Sequence, residues 1–315
     1  MYAGVAISPE SVVTTVGTLN AIGLCVRVLT KPGDVVAVES PCYYGILQLI
    51  EANDLKAIEI PAHPETGMSL EALRLAMEQW PLKAVITVSS FSNPLGCSIP
   101  DERKKELVAL LEQYQVPLIE DDVYGDLYFG ERRTCAVKAF DTQGLVFLCS
   151  SLSKTIDPQL RVGWILAGRY YDEILHRKFV NMSSTPILPE MVCADILGQG
   201  VYERHLRQAR EAYWQRYLRL VDLVSEYFPR VTKISRPQGG IVAWLELPKN
   251  VDTTELYHYC RAHDVLIAPG EMFSFNKQYR HCFRINYAPG WTPERENAIR
   301  RLGQWVTERV NIKPG

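Results

Sequence analysis

Between residues 11 and 167, short apolar runs rich in β-branched residues recur, with helical periods between them. The runs are Ser11–Thr15, Asp34–Glu39, Leu55–Ile60, Lys83–Ser89, Pro117–Asp121, Gly144–Ser150 and Gly163–Ala167. Leu19, Ile22, Cys25, Val26 and Leu29 fall at helical spacing, as do Leu107, Val108, Leu110 and Leu111. Each set marks the apolar stripe of a helix. Ser98, followed by Pro100, Asp101 and Glu102, predicts a helix N-terminus with Ser98 as its cap. Near-continuous apolar strands alternating with helices predict an α/β fold, a mostly parallel seven-stranded sheet with helices on both faces. Ligands of such sheets collect beyond the carboxyl ends of the strands.

After Pro189 the pattern changes. Residues 190–228 lack proline and are helical in character, which predicts a linking helix. From Val231 onward, β-like runs at Gly240–Leu247, Val265–Ala268 and Cys282–Tyr287 surround a helix near Thr253–His263. The expected organisation is a large domain at 1–189, the link at 190–228, and a smaller α+β domain at 229–315. Arg204, Arg207, Arg210, Arg216 and Arg219 line the link, but Glu203 and Glu211 are interleaved, which favours a solvated face over a nucleic-acid surface.

Composition narrows the function classes. With 315 residues, 47% of them hydrophobic, the chain can bury more than one core. Its 34 Lys and Arg against 36 Asp and Glu argue against a domain that coats a phosphate backbone. Eight cysteines occur with no CxxC pair and no zinc-ligand spacing to the histidines, and read as buried free thiols of a reduced compartment. No apolar stretch reaches the roughly 18 residues that span a bilayer, and the N-terminus lacks a signal-peptide layout. A soluble, cytoplasmic protein is expected.

Four segments carry chemistry, each following a predicted strand. In Ser151-Leu152-Ser153-Lys154 through Arg161, a lysine stands among small residues with an arginine seven positions on. That suits an amine condensing with an aldehyde, with Arg161 and the hydroxyls gripping a phosphate. Alone, it would equally be a surface lysine in a serine-rich turn. Glu120-Asp121-Asp122-Val123-Tyr124 places an acid at a strand end, where it can face a protonated ring nitrogen; a charged loop is the alternative. Ser92-Asn93-Pro94-Leu95-Gly96 makes a tight turn that can aim the Asn93 amide inward. Gly17-Thr18-Leu19-Asn20 opens a helix whose N-terminus favours an anion.

Together, in this order, the four segments resemble the class I aminotransferases, and more closely the aminotransferase-like domains of MocR (GntR-type) regulators. The resemblance covers almost the whole chain. It includes Glu39-Ser40-Pro41-Cys42-Tyr43-Tyr44-Gly45, Tyr202-Glu203-Arg204-His205-Leu206-Arg207, and Ala268-Pro269-Gly270 with Phe273. It implies an aspartate-aminotransferase-like fold binding pyridoxal 5′-phosphate (PLP). Lys154 would carry the cofactor and act as the base. Asp121 would partner the pyridine nitrogen, while Tyr124 and Asn93 would donate to its phenolic oxygen. Tyr43 would stack on the ring, and Gly17, Thr18, Leu19, Ser151, Ser153 and Arg161 would surround the phosphate. Arg284, helped by Asn93, would grip a substrate α-carboxylate.

The sequence departs from the family pattern at three places. Asp157 stands where a small residue is common, Gln159 where Gly is usual, and Leu19 where a polar residue often touches the phosphate. If Asp157 lay close to Lys154, it would raise the lysine's pKa. The resemblance also implies about 70–100 residues, absent from this sequence, before the phosphate turn. In the regulators a winged helix-turn-helix precedes those, so DNA would be reached only through such a domain. Two functions stay open: amino-group transfer from an α-amino acid to a 2-oxo acid, in a homodimer, or an effector-sensing domain with little turnover.

Overall fold

The computed structural model describes residues 2–311. Met1 and residues 312–315, the outer ends of the first and last expected domains, lie outside them. The main sheet is built from β1 (Val12–Thr15), β2 (Val35–Ser40), β3 (Lys56–His63), β4 (Gly67–Met68), β5 (Leu82–Val88), β6 (Leu118–Asp121), β7 (Val146–Ser151) and β8 (Gly163–Leu166). Their order is β1-β8-β7-β6-β5-β2-β3-β4. Strands β7, β6, β5, β2 and β3 are parallel, while β8 is antiparallel to both β7 and β1. Strand β1 therefore runs with the parallel set. The sheet has eight strands rather than the expected seven. The extra one, β4, is a two-residue return antiparallel to β3, too short to carry a period.

The near-continuous apolar runs are explained by burial on both faces. Val36 and Val38 of β2, with Ile86, Ile119 and Phe147, pack against Ile22, Cys25 and Val26 of α1 (Thr18–Leu29). Val35 and Ala37, with Val85, Leu118 and Val146, face the other way. There they meet Leu73 of α3 (Leu70–Gln79) and Leu107 and Leu111 of α4 (Asp101–Tyr114). Helix α2 (Tyr44–Ala52) joins the α1 side through Ile46 and Ile50. Each fully buried Val, Leu or Ile contributes about 1.5–3 kcal/mol. The cap of α4 differs from expectation. The helix begins at Asp101 with Pro100 in the cap position, and the Ser98 hydroxyl instead meets Thr134 Oγ1 at 3.4 Å.

Helix α5 (Tyr171–Met182) packs on α1 and β1. The expected single link is two helices, α6 (Ile187–Gly198) and α7 (Val201–Tyr227), parted at Gly200 with φ +66°. The left-handed region favours glycine there. Tyr202 and Leu206 of α7 belong to the core around the large sheet. Tyr217, Leu220, Leu223 and Val224, further along, belong to a second core. That second core lies under an antiparallel sheet of order β11-β12-β10-β9. Its strands are β9 (Lys233–Ile234), β10 (Val242–Glu246), β11 (Ala268–Pro269) and β12 (Cys282–Asn286), closed by α8 (Thr253–Arg261) and α9 (Pro293–Asn311).

The arginines of α7 do more than face solvent. Arg204 and Arg207 are exposed, but Arg210 lies 4.1 Å over the Tyr128 ring and Arg219 grips Glu296 at 2.9 and 2.6 Å. Arg216 donates to the Ala288 carbonyl. Among the described residues, no helix is long and apolar enough to cross a membrane.

Candidate active site

Strand order reverses between β2 and β5, and β1, β2, β5, β6 and β7 all end on the same edge. A cavity of about 350 Å³ opens there, at the switch point where such sheets bind ligands.

One end of the cavity is built from hydroxyls and an arginine. Thr18, the first residue of α1, donates from Oγ1 to Ser151 Oγ at 2.9 Å, and the Ser153 amide donates to the same Ser151 Oγ at 3.3 Å. Arg161 Nη1 donates to Ser153 Oγ at 3.4 Å and to the Pro158 carbonyl at 3.1 Å, while Nη2 donates to the Val16 carbonyl at 2.6 Å. Gly17, at φ +101°, lets the chain turn into α1. A Cβ there would meet the flexible end of the Arg161 side chain, which would have to move aside; it is the positive φ that reserves the position for glycine. A helix N-terminus, a guanidinium and hydroxyls together are groups that could hold an anion.

Deeper in lies the acidic triplet, and the structure separates its members. Glu120 accepts from the Val137 and Lys138 amides at 2.7 and 3.0 Å and from the Ser89 hydroxyl. Asp122 pairs with Arg133, which also binds Asp126. Asp121 accepts from the Val123 amide at 3.0 Å and lines the cavity. Burial pushes its carboxyl up from 3.8 to about 7; the Val123 bond and Lys154 oppose that shift, and Asp122 and Glu120 add to it. An acid so placed gains most from a cationic partner in the cavity.

Lys154 follows β7 on a turn and reaches the cavity. Lys154 is exposed to the cavity, where partial desolvation lowers its pKa; Asp121 opposes the shift, and Arg284 and Arg161 reinforce it. More of the amine is then unprotonated and nucleophilic near neutral pH. Asp157 is not among the groups that shift it; its carboxylate accepts from the Gln159 amide at 2.6 Å. Leu19 lines the cavity and is 39% exposed.

The remaining walls bring polar groups from several elements. Tyr43, at the start of α2, lies against Tyr44 with ring centroids 4.7 Å apart and the ring planes tilted by 54°. Gly45 has no Cβ to block it, since one would lie 2.6 Å from the Tyr43 ring. Burial, then neighbouring Tyr44 and Asp121, push the Tyr43 hydroxyl up to about 12. Tyr124 is buried, and desolvation followed by Asp121 raises its hydroxyl well above the usual phenol value. The Asn93 side chain lies beside it and opposes that shift. Asn93 Oδ1 accepts from Arg284 Nη1 at 3.3 Å. Arg284 Nε is buried with no hydrogen-bond partner among the described residues.

Every expected site residue except Gly17 lines this cavity, and Gly17 abuts it through Arg161. Sequence reasoning missed Val88, Val123, Ile241 and Val242, apolar walls with no distinguishing signal. It also missed Asn286, which shares a strand face with Arg284 at the period of two. Arg133, which occupies Asp122 and so leaves Asp121 to the cavity, was missed as well.

A family model described as aminotransferase class I and II matches residues 2–302. The chain belongs to that family. The similarity continues in individual proteins. This aminotransferase-family chain is 40% identical over 303 residues to YjiR, an uncharacterized HTH-type transcriptional regulator of Escherichia coli K12, covering 96% of this chain and 64% of YjiR. It is 39% identical to a second such E. coli K12 regulator, YdcR, over 98% of this chain and 66% of YdcR. The chain thus spans a little under two thirds of these relatives' length. Among solved structures it resembles LysN, the α-aminoadipate aminotransferase of Thermus thermophilus, in a complex with N-(5′-phosphopyridoxyl)-L-leucine. The TM-score is 0.92 at 26% identity, covering 97% of this chain and 79% of LysN.

Proposed function

We propose that this chain is a PLP-binding aminotransferase domain that moves an amino group from an α-amino acid to a 2-oxo acid. The observation that carries the reading is a single cavity joining a lysine of lowered pKa, a buried acid with one hydrogen bond, and an arginine whose Nε has no partner among the described residues. These residues fit the cofactor. The hydroxyl and arginine end matches a phosphate, and Asp121, left free by Arg133, matches a protonated pyridine nitrogen.

Lys154 would hold the cofactor covalently through Nζ. Gly17, Thr18, Leu19, Ser151, Ser153 and Arg161 would surround the phosphate, Tyr43 would cover the ring, and Tyr124 with Asn93 would hold its phenolic oxygen. When bound, PLP supplies an electron sink for the pair left as the Cα–H bond breaks. Arg284 would clamp the substrate carboxylate in a bidentate fork, orienting the Cα proton. Lys154 Nζ would be the amine placed to take that proton and return it.

The residues divide into a large domain at 1–189, a link at 190–228 and a small domain at 229–315, with Arg284 carried by the small one. A cytoplasmic homodimer fits the family resemblance and the exposed apolar side chains of Phe179, Ile187, Leu188 and Met191 on α5 and α6. A second reading rests on the 40% identity to YjiR over under two thirds of its length. In that reading the same cavity is the effector domain of a MocR-type regulator, with DNA bound by a separate N-terminal domain.

Absorbance separates the two. Holoprotein should show a band near about 420 nm. An amino acid should bleach it with release of a 2-oxo acid, and a second 2-oxo acid should restore it. A band that shifts with amino acid but releases no oxo acid supports the sensor; absence of any band refutes both.

A further inference from the structure

The chemistry above makes no use of Tyr202 and His205, which stand one turn apart on the same face of α7. Both point at the turn that carries Lys154. His205 Nε2 lies 2.7 Å from the Thr155 carbonyl oxygen. A carbonyl can only accept, so the ring donates through Nε2. Tyr202 is buried and donates to Asp126 Oδ2 at 3.0 Å. Its hydroxyl also faces that of Thr155, a buried group with no hydrogen-bond partner among the described residues. Asp126 in turn binds Arg133, which binds Asp122, the residue after Asp121. A single turn of α7 is therefore tied to the residue after the lysine and, through two links, to the residue after the cavity acid. Within the lysine turn itself, the Thr155 and Ile156 amides both donate to the Leu152 carbonyl, at 3.3 and 2.8 Å.

We propose that His205 and Tyr202 are positioning residues for Lys154, holding the lysine turn at a fixed distance from Asp121. The inference rests on the proposed role of Lys154. His205 is exposed, so its removal spares the core, whereas its hydrogen bond bears directly on the turn. Losing one such bond reduces productive alignment about five- to tenfold.

The test compares wild type with His205→Ala, His205→Gln and Tyr202→Phe. Each apoprotein is mixed with PLP, and the rate of appearance of the absorbance band and the pH midpoint of that band are measured. Borohydride then fixes the adduct for peptide mass mapping. His205→Ala should form the Lys154 adduct about five- to tenfold more slowly with a displaced pH midpoint, while its melting temperature stays within about 2 °C of wild type. The glutamine amide should return the rate to within about twofold of wild type. Tyr202→Phe should fall between alanine variant and wild type. The inference fails if His205→Ala matches wild type in rate and midpoint, or if glutamine does no better than alanine. A wild-type protein that forms no adduct at Lys154 overturns the proposed function itself, and this inference with it.

Discussion

Asp121→Asn should stabilise the cofactor-free protein, and more so as the pH rises. The wild-type carboxyl is buried and shifted from 3.8 to about 7, chiefly by desolvation. Between those values the folded state binds more protons than the unfolded state, so folding stability falls as pH climbs through the window. The full shift of about 3 units amounts to roughly 4 kcal/mol at alkaline pH. At about pH 5 the penalty is roughly 1.5 kcal/mol, and by about pH 8 it is nearly complete, so about 2–3 kcal/mol develops between them. Asparagine keeps the oxygen that accepts from the Val123 amide at 3.0 Å and cannot ionise. For a chain of 315 residues the difference corresponds to roughly 4 °C in melting temperature. The assay is thermal unfolding of both apoproteins at the two pH values. Glu39, whose carboxyl is pushed up to about 8 chiefly by burial, titrates in both proteins; Asp121 adds only the last and smallest of the contributions to that shift, so most of its effect cancels in the comparison. Added PLP should stabilise wild type more than the variant at the higher pH, because only wild type offers a carboxylate to a protonated ring nitrogen. A melting-temperature difference that stays flat between the two pH values would refute the electrostatic account of Asp121.

Other substitutions probe separate parts of the site. Gly17→Ala should push Arg161 aside, and the preference for PLP over unphosphorylated pyridoxal, measured by equilibrium titration, should shrink about tenfold. Arg133→Met leaves the buried carboxylate of Asp122 and the half-buried one of Asp126 without their cation, and urea unfolding should show a loss of about 3–5 kcal/mol; a loss under about 1 kcal/mol would contradict the assignment. Arg284→Gln should weaken amino-acid binding to the holoprotein about 10- to 100-fold while PLP affinity changes less than about twofold, as read by absorbance titration.

Much of this site could be read from the chain because its chemistry follows strands. Lys154, Asp121, Asn93 and Gly17 each lie just past an apolar run, and parallel strands deliver such positions to one edge. Arg284 was legible through the motif around it rather than through periodicity. The rest depends on tertiary neighbours. Nothing local distinguishes Asp121 from Asp122; the choice is made by Arg133, eleven residues further on. The stretch 190–228 carries a continuous helical character, yet breaks at Gly200, which takes a left-handed conformation that composition alone does not demand. Strand β4 pairs over two residues only, below the length at which alternation can be seen. Ser98 looks like a cap, but the helix starts three residues later, because Pro100 supplies the extended conformation that a cap position needs.

The most direct measurement concerns the amine of Lys154. Protein incubated with PLP, reduced with borohydride and digested should carry its phosphopyridoxyl group on the peptide containing Lys154, and Lys154→Ala should carry none. A label found on another lysine, or unchanged labelling of the alanine variant, would contradict the account.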